Sequence, residues 1–361
     1  MNSSRRKFIA GSAAAVAAAT LPRLGSSASR ATPTRIILDT DPGVDDAMAL
    51  FLALRSPEIE IEAITAVCGN VPLSLTLPNA LRLLEIAGRT DIPVAAGAAT
   101  PLVRRLVTAD FVHGDNGLGG VDFPEPKLKP VNETAVELIG RMVRKNPHQI
   151  TVVAIGPLTN IATVLKSDPS IAPLIKGIVL MGGALGGGNI TPAAEFNFYV
   201  DPEAARIVFD ADIPLTMVGL DVTSKVLLGE DHIRQLEAAK NPVSQAAGKI
   251  MRATLERLRK SRRDVTGYAM HDPLTVAHVI DPTILTLGDY YTQIETSGEL
   301  TAGRSVGYAN GPVRRSAPLD TGLGRVPATP EPEFRPNSKV AVEVDSSKFF
   351  QLLIPRLTAN S

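Results

Sequence analysis

Short apolar runs alternate with segments of helical periodicity along most of the chain. The run from Ile36 to Leu38 is typical of a strand buried on both faces. Similar runs lie at residues 61–70, 150–155, 177–181 and 214–220, and helical patterns follow at residues 45–54, 79–87, 159–166 and 202–210. This order of strand, turn, helix and strand predicts an α/β fold, with an open, mostly parallel sheet flanked by helices.

The last third of the chain has a less regular pattern. Residues 231–263 predict a long polar helical region, and residues 314–337, rich in proline and glycine, predict a loop. The segment KVAVEVD predicts a strand, and the closing helix after it can bend at Pro355. Neither an internal repeat nor a composition boundary divides the chain, so we predict one domain over residues 32–361.

The first 31 residues differ from the rest and predict a targeting segment. Arg5 and Arg6 precede an apolar run from Phe8 to Leu21, and a stretch rich in serine and alanine follows. This order matches a signal peptide, and the arginine pair resembles a twin-arginine export signal. The run is shorter than the ~20 residues that a bilayer span requires. We expect a signal peptide at residues 1–31 and a bacterial protein exported to the periplasm or outside the cell. A tail with chance alanines is the alternative.

Charge and composition exclude some classes of partner. The chain has 37 basic and 37 acidic residues, so no overall positive charge favours nucleic acid. No later segment is long and apolar enough to span a membrane. Cys68 is the only cysteine, so it forms no intramolecular disulfide, and we expect it to be buried and inert.

Four aspartates fall within eight positions of the segment ILDTDPGVDD. Asp39 and Asp41 lie on the same side of the first strand's end, and Asp45 and Asp46 fall in the first turn of the next helix. The helix dipole favours two carboxylates there but does not explain four. A bound cation does, and oxygen ligands without histidine or cysteine favour Ca²⁺ over Mg²⁺, with Zn²⁺ disfavoured. A solvated acidic loop is the alternative.

Other stretches carry polar residues typical of a binding site. Two glycine-rich loops combine flexibility with polar groups, and one of them contains Glu195 and Asn197, which point the same way in an extended segment. His271 and Asp272 begin a predicted helix, where capping is the common use of such residues. From these residues alone we infer a metal-dependent hydrolytic site that acts on a polyol or a phosphate.

Seven motifs occur in an order that resembles one known family. They are DTDPGVDDAMAL, VCGN, GPLTNIA, LMGG, GNITPAAEFNFYVDPEAA, VGLDVT and HDPLTVA. Together they are similar to the inosine-uridine preferring nucleoside hydrolases, from about Arg35 to the C-terminal helix. The resemblance implies the Rossmann-like open sheet of that family. It also implies Ca²⁺-dependent hydrolysis of the N-glycosidic bond of small-molecule ribonucleosides to ribose and free base.

The resemblance also implies roles for individual residues. Asp41 is expected to be the general base that activates a calcium-bound water, and His271 the acid that protonates the leaving base. The expected calcium ligands are Asp39, Asp46, Asp272 and the main-chain carbonyl of Ile155, where relatives often have threonine. The expected substrate contacts are Asp45, Asn70, His113, Met181, Asn189, Glu195 and Asn197. A loop-fixing hydrogen bond is an alternative for His113, and Tyr268 is a further candidate beside the base.

The nature of the reaction fits these residue types. Cleavage of the C–N bond develops positive charge on the ribose ring, as in glycoside hydrolysis, and carboxylate and amide oxygens stabilise that charge. The chain has no tryptophan, whereas purine-specific relatives stack the base between aromatic side chains in which tryptophan is prominent. We therefore predict broad use of inosine and uridine rather than strict purine specificity.

Two other functions fit parts of the pattern. A Mg²⁺-dependent phosphohydrolase would use Asp39 as nucleophile, but such enzymes usually have Gly-Thr or Gly-Val where this chain has Pro42-Gly43. A non-catalytic exported nucleoside-binding protein would keep the pocket without turnover, but every mapped catalytic position is intact. Because the resembling proteins form dimers or tetramers, we expect a homodimer or homotetramer.

Overall fold

The fold is built on one large sheet and one small sheet. The computed structural model describes residues 32–261, 264–309 and 335–360. The strands are β1 (Thr34–Thr40), β2 (Ile59–Ala66), β3 (Val94–Ala96), β4 (Thr151–Ala154), β5 (Gly177–Met181), β6 (Leu215–Val218), β7 (Leu227–Gly229), β8 (Gly267–Ala269), β9 (Leu285–Ile294), β10 (Ser305–Ala309) and β11 (Ser338–Val344). Within the described residues, the large sheet has the order β10-β9-β11-β6-β5-β4-β1-β2-β3, and β7 pairs with β8.

The large sheet is parallel over most of its width and antiparallel at one edge. Parallel pairing extends from β3 through β2, β1, β4, β5 and β6 to β11. At the edge, β9 runs antiparallel to both β11 and β10. The predicted open, mostly parallel sheet is therefore confirmed. The sequence patterns had not indicated β3, the antiparallel edge or the pairing of β7 with β8.

Helices connect the strands and cover both faces of the sheet. They are α1 (Val44–Leu54), α2 (Leu73–Ile86), α3 (Asp110–His113), α4 (Ala135–Lys145), α5 (Thr159–Ser167), α6 (Phe196–Val200), α7 (Pro202–Phe209), α8 (Leu220–Thr223), α9 (Glu230–Ala238), α10 (Pro242–Ser261), α11 (His271–Ile280) and α12 (Ser346–Thr358). Short 3₁₀ helices lie at Pro169–Leu174 and Pro282–Ile284.

The long polar helical region predicted at residues 231–263 is two helices. The first ends at Ala238 and the second begins at Pro242. The Asn241 side chain accepts a hydrogen bond from the Ser244 backbone N–H at 2.9 Å, as a helix-capping residue does. Proline fits the first helical position, where no N–H is needed. Two local start signals therefore override the continuous helical periodicity.

The start of α2 also differs from the predicted position. The helix begins at Leu73 rather than Asn79, and it contains Pro78 in its interior. Proline removes one backbone hydrogen bond from a helix. The turn before it is held by a tertiary contact, because the Thr76 hydroxyl donates to the Val67 carbonyl at 2.8 Å. That contact was not visible in the local pattern.

The segment of four aspartates joins two elements that are buried in the core. Ile36 and Leu38 of β1 belong to one apolar cluster, and Ile37 belongs to a second cluster on the other face. Every residue of α1 from Val44 to Ala53 is buried, and this helix packs against α10 and α11. The loop between β1 and α1 is therefore fixed at both ends.

The carboxyl ends of β1 and β4 meet where the strand order reverses. The chain passes from β1 outward to β2 and β3, and later returns to β4 on the other side of β1. Open α/β sheets bind ligands in the crevice that forms at such a switch point. Asp41 follows the end of β1 there, and Ile155 follows the end of β4. The topology thus brings separate motifs to one place.

Several predictions concern the limits of the chain. The described residues from Pro33 onward belong to one compact unit. The predicted signal peptide at residues 1–31 and most of the predicted loop at residues 314–337 lie outside the described residues. The division of the chain after residue 31 therefore stays a prediction. None of the helices in the described part of the chain is long and apolar enough to cross a bilayer.

Candidate active site

A cavity of about 420 Å³ opens at the switch point. Its lining includes most of the residues predicted for the site, namely Asp45, Asn70, His113, Ile155, Met181, Asn189, Glu195, Asn197, His271 and Asp272. Asp39, Asp41 and Asp46 do not line it and are fully buried. Asn70, which does line it, bonds to both Asp41 and Asp46. The fold therefore gathers residues that are up to 227 positions apart around one cavity.

The loop between β1 and α1 folds around the Asp46 carboxylate. One oxygen accepts hydrogen bonds from the Thr40 hydroxyl at 2.6 Å and the Asp41 N–H at 3.3 Å. The other accepts from the Gly43 N–H and the Asn70 side-chain amide, both at 2.9 Å. The carboxylate also lies in the first turn of α1, where the helix dipole favours negative charge. Asp46 thereby fixes the turn that carries its neighbouring aspartates.

Asp41 has one oxygen that is held and one that has no partner. Its Oδ2 accepts a hydrogen bond from the Asn70 N–H at 2.7 Å. Its Oδ1 is buried without a hydrogen-bond partner in the described part of the chain. Two glycines leave room for the carboxylate, because a Cβ on Gly69 would lie 2.1 Å from Oδ2 and one on Gly156 would lie 2.5 Å from Oδ1. Burial raises the pKa of Asp41, and the Asp46 carboxylate raises it further. An unpartnered buried oxygen indicates a bound ion or water.

Three carboxylates converge beside Asp41. Asp45, Asp46 and Asp272 each place one oxygen within 4.8 Å of the others, and none is more than 4% exposed. Burial raises the pKa of all three, that of Asp45 to about 8. No lysine or arginine of the described residues forms an ion pair with these carboxylates. The oxygen-only donor set and the orphaned oxygen of Asp41 fit a hard cation.

Asp39, predicted as a ligand of this cation, is not one of the three converging carboxylates. Its Oδ2 accepts hydrogen bonds from the Thr65 hydroxyl at 2.5 Å and the Asn160 side-chain amide at 2.7 Å. Thr65 lies opposite Asp39 in the register of β1 and β2. Its Oδ1 is buried without a partner among the described residues, and burial raises the pKa of Asp39 to about 7. Its role as a ligand stays a prediction.

A second wall of the cavity is polar and comes from the loop before α6. The Glu195 carboxylate caps this helix, accepting hydrogen bonds from the N–H groups of Asn197 at 2.9 Å and Gly183 at 3.0 Å. Burial raises the pKa of Glu195 to about 7. The Asn189 side chain accepts from the Phe196 N–H at 2.9 Å. These backbone contacts hold the predicted sugar-binding groups in fixed orientations.

Asn197 links this polar wall to the strand ends. Its side-chain amide donates to the carbonyl of Met181 at 3.1 Å and to the carbonyl of Ile155 at 3.3 Å. The Ile155 carbonyl is the predicted main-chain ligand, and a carbonyl oxygen has two lone pairs, so one remains for a second partner. The isoleucine side chain is buried.

Two histidines reach the cavity. The Nδ1 atom of His113 accepts a hydrogen bond from the Val44 N–H at 3.0 Å, which is the loop-fixing contact considered above. Burial lowers the pKa of His113 to about 3. The Nδ1 atom of His271 lies 2.7 Å from the Thr223 hydroxyl oxygen, and burial lowers the pKa of His271 to about 4. Burial thus disfavours the protonated form of both rings, and contact of either with a base stays a prediction.

Another part of the cavity is apolar. Phe111 is 64% exposed, so it lies at the mouth of the cavity. The ring of Tyr268 also lines the cavity, and its hydroxyl donates a hydrogen bond to Asp45 at 3.4 Å. The apolar lining residues are Ala109, Phe111, Val112, Ile190, Phe196, Leu227, Leu258 and Val265. Ile190 and Phe196 belong to the motif GNITPAAEFNFYVDPEAA, whereas the other residues of this wall lie outside the seven motifs, so no motif indicated them. A flat heteroaromatic ring fits such a wall, whereas a sugar fits the polar one.

The single cysteine lies outside this cavity. Cys68 is fully buried, and burial raises its pKa to about 12. A thiol in this state is a poor nucleophile, because the thiolate is the reactive form. The expectation that Cys68 is buried is confirmed, and its raised pKa accords with an inert thiol.

Fold and cavity together define an α/β enzyme that takes a small molecule with one polar and one flat apolar part. Residues 36–351 match the family model described as inosine-uridine preferring nucleoside hydrolase. The chain is 43% identical over 326 residues to the pyrimidine-specific ribonucleoside hydrolase RihA of Citrobacter koseri, which covers 89% of this chain and 97% of the relative. The chain belongs to the inosine-uridine preferring nucleoside hydrolase family, and it is a ribonucleoside hydrolase.

Solved structures give the same result. A plant nucleoside hydrolase superposes with a TM-score of 0.80 at 35% identity, covering 91% of this chain and all of that one. A purine-preferring ribonucleoside hydrolase from Gardnerella vaginalis superposes with a TM-score of 0.79 at 34% identity, covering 90% of this chain and 98% of that one. The predicted family, fold and reaction are therefore confirmed. These relatives are named for different base preferences, pyrimidine for RihA and purine for the Gardnerella vaginalis hydrolase.

Proposed function

We propose that this ribonucleoside hydrolase binds Ca²⁺ at its acidic cluster, uses Asp41 as general base and His271 as proton donor, and prefers pyrimidine nucleosides. The observation that carries the proposal is the buried, unpartnered Oδ1 of Asp41 next to three converging carboxylates. A carboxylate oxygen in that state lacks a ligand, and it is placed to accept a proton.

The residues that would hold the cation are the Asp46 and Asp272 carboxylates and the Ile155 carbonyl, with Asp39 as predicted. Asp45 is a further carboxylate within reach of that group. Ca²⁺ accepts six to eight oxygen ligands in irregular arrangements, which suits a set drawn from two helix starts and the ends of two strands. When bound there, it would orient ribose hydroxyls and lower the pKa of a water molecule.

Proton transfer at the sugar falls to Asp41 in this proposal. Its free oxygen accepts a proton from the attacking water, while Asn70 holds the other oxygen in place. The polar wall with Glu195 and Asn197 faces the ribose ring, on which positive charge develops as the C–N bond breaks. Buried carboxylate and amide oxygens stabilise such charge strongly because little water screens it.

In this proposal, His271 donates the proton or hydrogen bond that the leaving base needs. The ring lines the cavity, and its Nδ1 atom is engaged by Thr223. Its Nε2 atom has no hydrogen-bond partner among the described residues. A base that leaves as an anion needs a proton or a strong hydrogen bond, and general acid catalysis of this kind contributes roughly 10²–10⁴-fold in rate.

The preference for pyrimidines rests on the relatives and on the cavity. RihA proteins with 43–44% identity are named pyrimidine-specific, whereas the purine-preferring relative named above has 34% identity. The cavity contains no tryptophan, since the chain has none. Uridine and cytidine are therefore the expected best substrates. The broad use of inosine predicted from the sequence stays a prediction that the same measurement tests.

The first test is ribose release from uridine, cytidine, inosine and adenosine, with uridine 5′-monophosphate as a matched probe. We expect uridine and cytidine to be the best substrates. Lining carboxylates such as Asp45, Glu195 and Asp272 face no lysine or arginine among the described lining residues, so a 5′-phosphate should lower kcat/KM by about 100-fold or more. Purine turnover above pyrimidine turnover would contradict the base preference. Phosphate release from the monophosphate would instead favour the phosphohydrolase alternative, and tight binding without turnover the binding-protein alternative.

The N-terminal residues support a proposal about location. We propose that residues 1–31 direct export by the twin-arginine route, because Arg5 and Arg6 precede an apolar run of the right length. Replacing both by lysine keeps the charge but removes the arginine pair. The double variant, expressed in a bacterium with this export route, is expected to accumulate in the cytoplasm with its N-terminus intact. Equal export of both forms in a cell-fractionation assay would contradict the proposal.

A further inference from the structure

The motif VGLDVT has no place in the roles assigned so far. It covers the end of β6 and α8, and its last residue, Thr223, is fully buried. Thr223 does not line the cavity. Its hydroxyl oxygen nevertheless lies 2.7 Å from the Nδ1 atom of His271, 48 positions along the chain. Thr223 thus contacts the proposed proton donor without lining the cavity itself.

The backbone around this contact is held by further hydrogen bonds. The Met270 N–H, just before the histidine, donates to the Val226 carbonyl at 2.9 Å. On the other side, the Asp221 carboxylate accepts from the N–H groups of Leu185 at 2.7 Å and Gly186 at 3.0 Å. The start of α11, α8 and the glycine-rich loop after β5 are therefore tied together. This network fixes the position of the Thr223 hydroxyl.

The contact with Thr223 restricts how the imidazole presents its second nitrogen, and the threonine hydroxyl can serve as its donor. A neutral imidazole carries one N–H donor and one acceptor nitrogen. When the Thr223 hydroxyl donates to Nδ1, the single ring proton is on Nε2, the nitrogen without a protein partner among the described residues. The bond also removes the free rotation of the ring about its side-chain torsions. A fixed ring with its proton on Nε2 can donate a hydrogen bond to the leaving base as negative charge develops on it.

We propose that Thr223 is a positioning residue for catalysis, which holds the His271 ring so that its Nε2–H is directed at the leaving base. The inference rests on the proposed role of His271. It requires no contact between Thr223 and substrate. It assigns to the VGLDVT motif a part in the reaction, in addition to its part in the fold.

The test compares two substrates that differ in their need for a proton donor. Uracil is a poor leaving group unless it receives a proton, whereas p-nitrophenolate leaves from p-nitrophenyl β-D-ribofuranoside without one. Thr223→Val keeps the shape and removes the hydroxyl. We expect it to lower kcat for uridine by roughly 10–100-fold, part of the contribution of a general acid, with KM changed less than threefold. Turnover of the p-nitrophenyl riboside should change less than threefold, and Thr223→Ser should restore most uridine activity.

A matched control comes from the helix that carries the histidine. Thr275 in α11 is also fully buried, and its hydroxyl has no partner in the described part of the chain. Thr275→Val should therefore leave both substrates unaffected. A loss by Thr223→Val that is equal for both substrates, or no loss for either, would overturn the inference. A purely structural role predicts the equal loss.

His271→Phe separates this inference from the proposed function. If His271 is the proton donor, the phenylalanine variant loses uridine turnover and keeps turnover of the p-nitrophenyl riboside. If His271→Phe loses turnover of uridine only, while Thr223→Val affects both substrates equally, the role of Thr223 is refuted and that of His271 stands. If His271→Phe affects both substrates equally, the role of the histidine is refuted, and the inference about Thr223 with it. The double variant should lose no more than His271→Phe, because the two residues act as a unit.

Discussion

Replacement of Asp41 by asparagine is expected to lower kcat for uridine by about 10³-fold or more. The substitution keeps the size of the side chain and its place between Gly69 and Gly156, and it keeps an oxygen that can accept from the Asn70 N–H. It removes the basic oxygen that has no partner. Steady-state ribose release at saturating substrate measures the effect, and KM should change far less than kcat.

A surface aspartate provides the control for this variant. Asp210 is exposed at the end of α7, in an i,i+4 pair with Arg206, so Asp210→Asn should keep full activity. Thermal unfolding gives a second readout. Without divalent cations, Asp41→Asn should be at least as stable as the native protein, because it removes one of several mutually repelling buried carboxylates. Activity within tenfold of the native protein would show that Asp41 is not the base.

Removal of divalent cations is expected to abolish turnover and to destabilise the fold. The cluster of Asp45, Asp46 and Asp272 is buried without a lysine or arginine partner in the described residues, so a cation that binds only the folded state stabilises it. At 100 times its Kd that stabilisation is about 2.7 kcal/mol, which corresponds to a Tm change of roughly 5 °C. Dialysis against EGTA followed by scanning calorimetry and ribose release measures both effects.

The identity of the ion follows from re-addition. Ca²⁺ should restore activity and Tm at lower concentration than Mg²⁺, because an irregular set of many oxygen ligands suits the larger ion. Asp46→Asn should weaken Ca²⁺ binding in a calorimetric titration, and Asp39→Asn tests whether that residue is a ligand as predicted. Full activity in metal-free protein, with the metal content verified by elemental analysis, would contradict a metal-dependent mechanism.

The motifs indicated which segments meet at the cavity more completely than the periodicity indicated the elements around it. The resemblance of the motifs to one family placed Asp41, Glu195 and His271 in one site. One rule accounts for the meeting of the segments that follow β1, β4 and β5, because parallel strands end at the same edge of a sheet. The rule needs only the order of strands and helices. The alternation of strands and helices also made the mostly parallel sheet predictable. Its antiparallel edge was not predictable, because the residue pattern of a strand does not identify the strand with which it pairs.

The residues that the sequence left without a role act through other side chains. Asn160 and Thr65 hold Asp39, and Thr223 contacts His271. The partners in these contacts are 26 to 121 positions apart, so local periodicity carries no information about them. Asn160 and Thr223 lie in the motifs GPLTNIA and VGLDVT, so the sequence marked both segments but did not indicate what these two residues contact. Export and assembly into a homo-oligomer stay predictions.

The cavity joins two walls that the chain builds by different means. The polar wall with Glu195 and Asn197 and the cluster of Asp45, Asp46 and Asp272 lie at helix starts and the loop before α6. Most of the apolar wall comes from other segments and from the end of α10, including Phe111, Leu227 and Leu258. Evolution can therefore vary the second wall while the first stays intact, which accords with relatives of one fold that are named for pyrimidines and for purines. The same separability makes the apolar wall the place to begin when this scaffold is adapted to nucleosides with unnatural bases.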